Sequence, residues 1–358
     1  MKESVRKLQP YLPEKPLATL QAELGLSHLV RLSANENPYG TSPQVATAIK
    51  NWDWTMSNRY PDGNATVLRR VLAQQLAVDP AQLVFSVGLD EMIAMVSRTF
   101  LAPGDQVLVS APTFSEYALH AEIEGASLVS VPTLKTGQVD FAALAAAVTP
   151  QVKSVWLCNP NNPTGTVESL AAITAFVQQV PPTTMVLIDE AYLDFATDAA
   201  AITALHLPEK WPNVVVMRTF SKAYGLANFR VGYAVFSTQL VPTMQAVRLP
   251  YNLNTLTQVA AVAAAKDQAF LQATVAKNAA ERQLWQQFFD QQQIHYDQSA
   301  ANFIFFEYPQ ADRLADYLLH QGYSLRTGLR PDWLRMTFGT AADGHQLRQL
   351  IARYGQSK

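Results

Sequence analysis

Three features of the sequence predict an α/β fold with a large, mostly parallel seven-stranded sheet and a smaller α+β C-terminal unit. These are short, nearly continuous β-branched runs, longer helical patterns between them, and a length of 358 residues that exceeds what one core usually serves. The runs, in order, are LVFSV at 83–87, QVLVS at 106–110, SLVSV at 127–131, SVWLC at 154–158, MVLID at 185–189, VVVMR at 214–218 and VGYAVF at 231–236. Apolarity at almost every position predicts strands covered on both faces. Between them, LDEMIAMVSRTF predicts a helix stopped by Pro103 and Gly104, and SLAAITAFVQQV one stopped by Pro181 and Pro182. An Ala- and Gln-rich stretch from about residue 255 to 290 has strong helix propensity and predicts a connecting helix. ANFIFFEY, LADYLLHQGY and LRMTFG then predict the small unit. The expected division is an N-terminal arm over 1–35, a large domain over 36–255, and the connecting helix with the small domain over 256–358.

Composition narrows the chemistry. A hydrophobic fraction of 49% can fill two cores, and a formal charge of -2 offers no broad basic field, so nucleic acid is not an expected partner and any anion must be gripped locally. The single cysteine, Cys158, excludes an internal disulfide framework and suits a reducing cytoplasm. The first residues contain no apolar stretch of signal-peptide length, and the most apolar helical stretch, around 259–265, is too short to cross a bilayer. A soluble, cytoplasmic protein is expected. The six histidines pair at no metal-ligand spacing, and no metal site is expected.

Five segments gather unusual residues at or near strand ends, where a cofactor site of this fold belongs. In SVGLDEM, a helix expected to begin near Asp90 would leave the N–H groups of Leu89, Asp90 and Glu91 free for an anion; an ordinary turn with Asp90 as N-cap is the plainer reading. CNPNNPTG places two Asn-Pro steps and a glycine after a buried strand, with Asn162 able to donate to an oxygen; an ordinary loop built by turn chemistry is the alternative. In VLIDEAYLDF, a buried strand ends on Asp189, whose charged form needs a partner such as a protonated ring nitrogen, with Tyr192 nearby; a capping or solvated acid is the alternative. RTFSKAYGLANFRVGY carries Thr219, Ser221, Lys222 and Arg230 within twelve residues, enough to hold a phosphate and supply an amine. Apolar surroundings predict a partly desolvated, nucleophilic Lys222. Arg326 and Arg335, beside apolar strand residues, suit a carboxylate or phosphate, or else an internal salt bridge.

Taken together, LSANENPYG, RYPDGNATVLR, VGLDEMI, PTFSEY, CNPNNPTG, IDEAYLDF, RTFSKAYGLANFRVGY and LRMTFGT cover nearly the whole chain. In kind, order and spacing they resemble fold-type I pyridoxal-phosphate enzymes, most closely the histidinol-phosphate aminotransferases. The resemblance implies pyridoxal 5'-phosphate as cofactor, with Lys222 as the Schiff-base lysine and Asp189 as partner of the pyridine nitrogen. Asn162 and Tyr192 would contact the phenolic oxygen, and Phe114 would stack on the ring. The cofactor phosphate would be held by the amides of Leu89 and Asp90, by Thr219, Ser221 and Arg230, and by Tyr60 from a second subunit, which implies a homodimer. Arg335 would take a substrate carboxylate or its equivalent, and Tyr11, Asn35, Tyr251 and Arg326 would line the substrate side. The implied reaction exchanges an amino group between L-histidinol phosphate and 2-oxoglutarate. Aromatic amino acid aminotransferases and a threonine-phosphate decarboxylase share the scaffold and remain alternatives. Three positions depart from the commoner pattern: Phe114 where tyrosine is frequent, Asn228 where glycine is usual, and Leu89 in place of a smaller residue.

Overall fold

The computed structural model describes residues 3–6, 8 and 15–356. Its strands are, in chain order, β1 (Val30–Arg31), β2 (Leu83–Ser86), β3 (Gln106–Ala111), β4 (Ser127–Pro132), β5 (Val152–Cys158), β6 (Met185–Asp189), β7 (Val214–Thr219), β8 (Gly232–Val235), β9 (Phe303–Glu307), β10 (Tyr323–Ser324) and β11 (Trp333–Thr337). Seven of them form one sheet in the order β2-β8-β7-β6-β5-β3-β4, in which only β8 runs against its neighbours. Each corresponds to one of the apolar runs.

The reason these runs lack polar alternation lies in how the sheet is covered. Along β5, Val155 and Leu157 enter one core while Trp156 and Cys158 enter the other; along β7, Val214 and Val216 part from Val215 and Met217 in the same way. Successive side chains point to opposite faces, and both faces are dry. On β6 the alternation places Val186 and Ile188 on one side and Leu187 on the other. It thereby directs Asp189 and Glu190 to opposite sides of the sheet edge, where the two acids meet different partners.

The stretch expected as one connecting helix is two, Thr255–Lys266 and Gln268–Gln292. Asp267 breaks it: its backbone leaves the helical region, and its carboxylate accepts the Phe270 N–H at the start of the second helix and the Ser42 hydroxyl. The first helix packs on Pro43–Lys50 and Thr66–Leu76 of the large unit, and the second on the C-terminal helix Ala341–Gln356.

In the small unit, β9 and β11 pair antiparallel and bury Phe306, Leu334 and Met336 against Trp285, Leu314 and Leu347. Val30 and Arg31 pair in parallel with Tyr323 and Ser324, so the last residues of the expected N-terminal arm are part of this unit. From there the chain runs through Leu32–Asn35 to the large sheet, between the two cores.

Candidate active site

The carboxyl ends of β2, β3, β5, β6 and β7 open into a cavity of about 650 Å³. Thirteen of the residues singled out in the sequence line it: Asn35, Leu89, Asp90, Phe114, Asn162, Asp189, Tyr192, Thr219, Ser221, Lys222, Arg230, Arg326 and Arg335. Tyr60 and Tyr251 do not. They stack on each other at 4.9 Å on an exposed surface of this chain. Tyr11 lies outside the described residues.

One end of the cavity is built for an anion. The helix Gly88–Phe100 begins earlier than expected, with Val87 as its cap, so Asp90 stands inside the first turn and is not the N-cap. First-turn N–H groups have no partner within a helix and present partial positive charge. Arg230, held in the left-handed region at φ 50°, lays its guanidinium over Gly88 and contacts Asp90 at 3.2 Å. Gly88 has φ +76°, a backbone that favours glycine, and a Cβ there would stand 2.3 Å from that guanidinium and oblige the arginine to shift. Thr219 donates to the Ser221 hydroxyl at 3.0 Å and accepts the Ser221 N–H at 3.1 Å, which holds the two hydroxyls together at the end of β7.

The same cavity is lined by Asp189, which is almost wholly buried. Burial raises its carboxyl to about 6, opposed by hydrogen bonds donated by the Tyr117 hydroxyl to Oδ2 at 2.8 Å and by the Ala191 N–H to Oδ1 at 3.0 Å. Among the described residues no lysine or arginine forms an ion pair with it. Its neighbour Glu190 differs entirely: it receives Arg218 at 2.9 Å, the Thr203 hydroxyl and the Ala204 N–H.

Lys222 lines the cavity as well. Desolvation, and next the nearby Arg335 charge, push its amine down to about 8, and Nζ donates to the Ala34 carbonyl at 3.2 Å. Tyr192 lies under it, with Nζ 5.6 Å from the ring centroid, and the Tyr192 hydroxyl accepts from Asn35 Nδ2 at 3.0 Å. Burial raises that phenol well above its ordinary range, so it stays protonated as a donor. Arg335 donates to Asn162 Oδ1 and to the Ser33 carbonyl, and is bridged backbone to backbone with Arg326 at 3.0 Å. Both arginines line the cavity, as does Arg31, whose guanidinium is paired with the Glu36 carboxylate.

Several residues here were not singled out from the sequence. Tyr117 stands three residues after Phe114, on the helix that starts at Glu116, and that nearby aromatic pair was the available signal. Arg31 had none beyond its charge. The Ser33 and Ala34 carbonyls are backbone groups with no side-chain signature.

This arrangement tests well against a phosphorylated pyridine aldehyde. It offers a buried carboxylate with no cation of its own, a neutralisable amine, donors toward a ring oxygen, and an anion cradle, all in one cavity. Arg326 and Arg335 line the same cavity, placed for a second anionic group.

A family profile described as aminotransferase class I and II matches residues 27–353. The chain is 70% identical over 354 residues to a histidinol-phosphate aminotransferase of Lactiplantibacillus plantarum, covering 99% of each, and 53% identical to that of Limosilactobacillus fermentum, covering 98% of each. Among solved structures, it resembles the histidinol-phosphate aminotransferase of Sinorhizobium meliloti in complex with pyridoxal-5'-phosphate, with a TM-score of 0.87 at 27% identity over 98% of both chains.

Proposed function

The chain belongs to the class I and II aminotransferases, and from its cavity we infer that it exchanges an amino group between L-histidinol phosphate and 2-oxoglutarate, with pyridoxal phosphate carried on Lys222. The observation that carries this reading is the pairing, within one cavity, of a desolvated amine with a buried carboxylate that has no cation of its own. Such a carboxylate favours a ligand bearing a protonated ring nitrogen. Pyridoxal phosphate supplies a carbonyl that condenses with amines and a ring that accepts electrons from the substrate Cα.

The remaining work belongs to the chain. Arg230, Thr219, Ser221 and the first-turn N–H groups of Leu89 and Asp90 hold the cofactor phosphate. Phe114 covers a ring face, and Asn162 and Tyr192 serve the ring oxygen. Asp189 holds the proton on the ring nitrogen. Lys222 Nζ, neutral in a useful fraction near pH 8, takes the proton from the substrate Cα and gives it up again. Arg335 and Arg326, with Asn35 and Tyr11, receive the substrate phosphate or the carboxylate of the second substrate. Tyr251, outside this chain's cavity, would serve the partner's substrate side from the surface it shares with Tyr60.

The reading includes a homodimer in the cytoplasm. Trp54, Met56, Tyr60, Leu249 and Tyr251 are exposed large apolar side chains, which a second copy would cover while Tyr60 reaches the partner's phosphate site. Light scattering of the purified protein checks the dimer. For the reaction, wild-type protein with bound cofactor should convert it to the amino form far more readily with L-histidinol phosphate than with L-phenylalanine. The reverse preference would make this an aromatic amino acid aminotransferase. Lys222→Ala should lose the visible absorbance of the covalently held cofactor; retention of that band would overturn the assignment of the lysine.

A further inference from the structure

Behind Asp189, away from the cavity, lies a second aromatic layer. Tyr117 is wholly buried on the helix Glu116–Glu124, stacked on Trp156 with ring centroids 4.4 Å apart and planes 10° apart. Phe114 meets it edge-on at 5.6 Å. A ring clamped on two sides leaves its hydroxyl little freedom, and that hydroxyl is spent on Asp189 Oδ2 at 2.8 Å.

The groups around Asp189 make this bond unusually important. They are Tyr117 on its helix, Cys158 at the end of β5, Tyr192 after β6, Glu190 beside it, and Asp90 on the helix Gly88–Phe100. None is a cation. Glu190 and Asp90 both oppose ionisation of Asp189, while burial leaves Cys158 a neutral thiol. Among the described residues, the hydrogen bonds that favour the ionised form come from two donors, the Ala191 amide and Tyr117. The amide is fixed by the backbone, so the side-chain control is Tyr117.

We propose that Tyr117 is a positioning residue for the reaction: its clamped hydroxyl orients the Asp189 carboxylate and holds it ionised toward the ring nitrogen of the cofactor. This rests on the aminotransferase function inferred for the cavity. A shared proton between ring nitrogen and carboxylate goes to whichever is more basic, and a hydrogen bond donated to the carboxylate makes it the less basic of the two. Tyr117 thus keeps the proton on the ring, where it draws electrons from the substrate.

The test uses holoenzyme carrying ring-15N-labelled cofactor, in wild type, Tyr117→Phe, Asp189→Asn and the double variant. Tyr117→Phe keeps the ring and its stack on Trp156, so the fold should persist, which thermal unfolding checks. In Tyr117→Phe the ring-nitrogen signal should move toward its unprotonated position. The acid limb of kcat should move up by about one pH unit, and kcat near neutrality should fall about tenfold with little change in KM. In the Asp189→Asn background the same change should have no further effect on the ring nitrogen. An unaltered ring-nitrogen signal and pH profile in Tyr117→Phe, with or without a lower melting temperature, overturns the proposal and leaves the inferred function standing. Wild-type protein that binds no pyridoxal phosphate overturns both.

Discussion

Asp189 and Glu190 are adjacent in sequence, both almost wholly buried, and put to opposite uses. Glu190 faces a pocket where Arg218, Thr203 and the Ala204 amide satisfy its charge, and in return it raises the already high basicity of Arg218. Asp189 faces the cavity with two hydrogen bonds and no cation. Buried charges of the first kind are internal structure, complete within the chain; those of the second kind are incomplete until a ligand arrives. A milder contrast separates Arg218, whose partner Glu190 is wholly buried, from Arg230, which is 43% exposed and pairs at 3.2 Å with the exposed Asp90.

The sharpest way to break this comparison is to neutralise each acid in turn. Asp189→Asn should lower kcat by about a thousandfold, because the ring nitrogen loses its charged partner. Glu190→Gln should leave the folded fraction with activity within about tenfold of wild type, measured well below its melting temperature. Comparable losses in both would show that the two carboxylates are one functional unit.

Stability without cofactor should move in opposite directions. Removing one member of a buried pair costs about 3–5 kcal/mol, so Glu190→Gln should melt much lower. Asp189 has the reverse sign. An acid whose carboxyl is raised in the folded chain binds its proton more tightly there, so ionising it costs stability. That cost is absent below about pH 4 and complete above about pH 6. Asp189→Asn should therefore stabilise the cofactor-free protein by about 1–3 kcal/mol at pH 8 and by little at pH 4, as read by denaturant titration.

The contrast between the arginines predicts a smaller effect. Gly88→Ala drives a methyl group into the Arg230 guanidinium and should weaken pyridoxal-phosphate affinity about tenfold in equilibrium dialysis. The smallest effect belongs to Phe114→Tyr, which restores a hydroxyl and keeps the ring face; kcat/KM should change by less than about threefold.

Most of the large sheet was legible because strands buried on both faces leave an unbroken apolar run, and each run ends within a residue or two of the observed strand. The cradle and Lys222 were legible because strand ends concentrate unusual residues over short spans. What the sequence hid depends on direction and on distant partners. Nothing in a one-letter string says that Glu190 turns toward Arg218 while Asp189 turns toward Tyr117, 72 positions earlier in the chain. Asp90 has the composition of an N-cap, yet the helix starts at Gly88 because a glycine can take the required positive φ. Asp267 broke a helix of favourable propensity through side-chain capping, a local competition that summed propensities average away.

The tie between the segment Ser33–Asn35 and the small unit has a further consequence, for the order in which the molecule assembles. The Asn35 N–H bonds to the Thr337 hydroxyl at 3.0 Å, and Ser33 is held by Arg335, each across 302 residues. Closing a flexible loop of that length costs about 5 kcal/mol in chain entropy, against about 3 kcal/mol for the β5–β6 and β6–β7 pairs, whose partners are only about 30 residues apart; the β2–β8 pair, Leu83 with Val235, is about half as distant as the tie and gains only about 0.6 kcal/mol. Folding should thus yield a species whose central strands are paired while its lysine is still open to water and to any passing aldehyde. Pulse-labelling hydrogen exchange during refolding should find the amide of Val216 protected before that of Thr337, which bonds the Leu32 carbonyl; simultaneous protection would mean that the sheet and this closure form together.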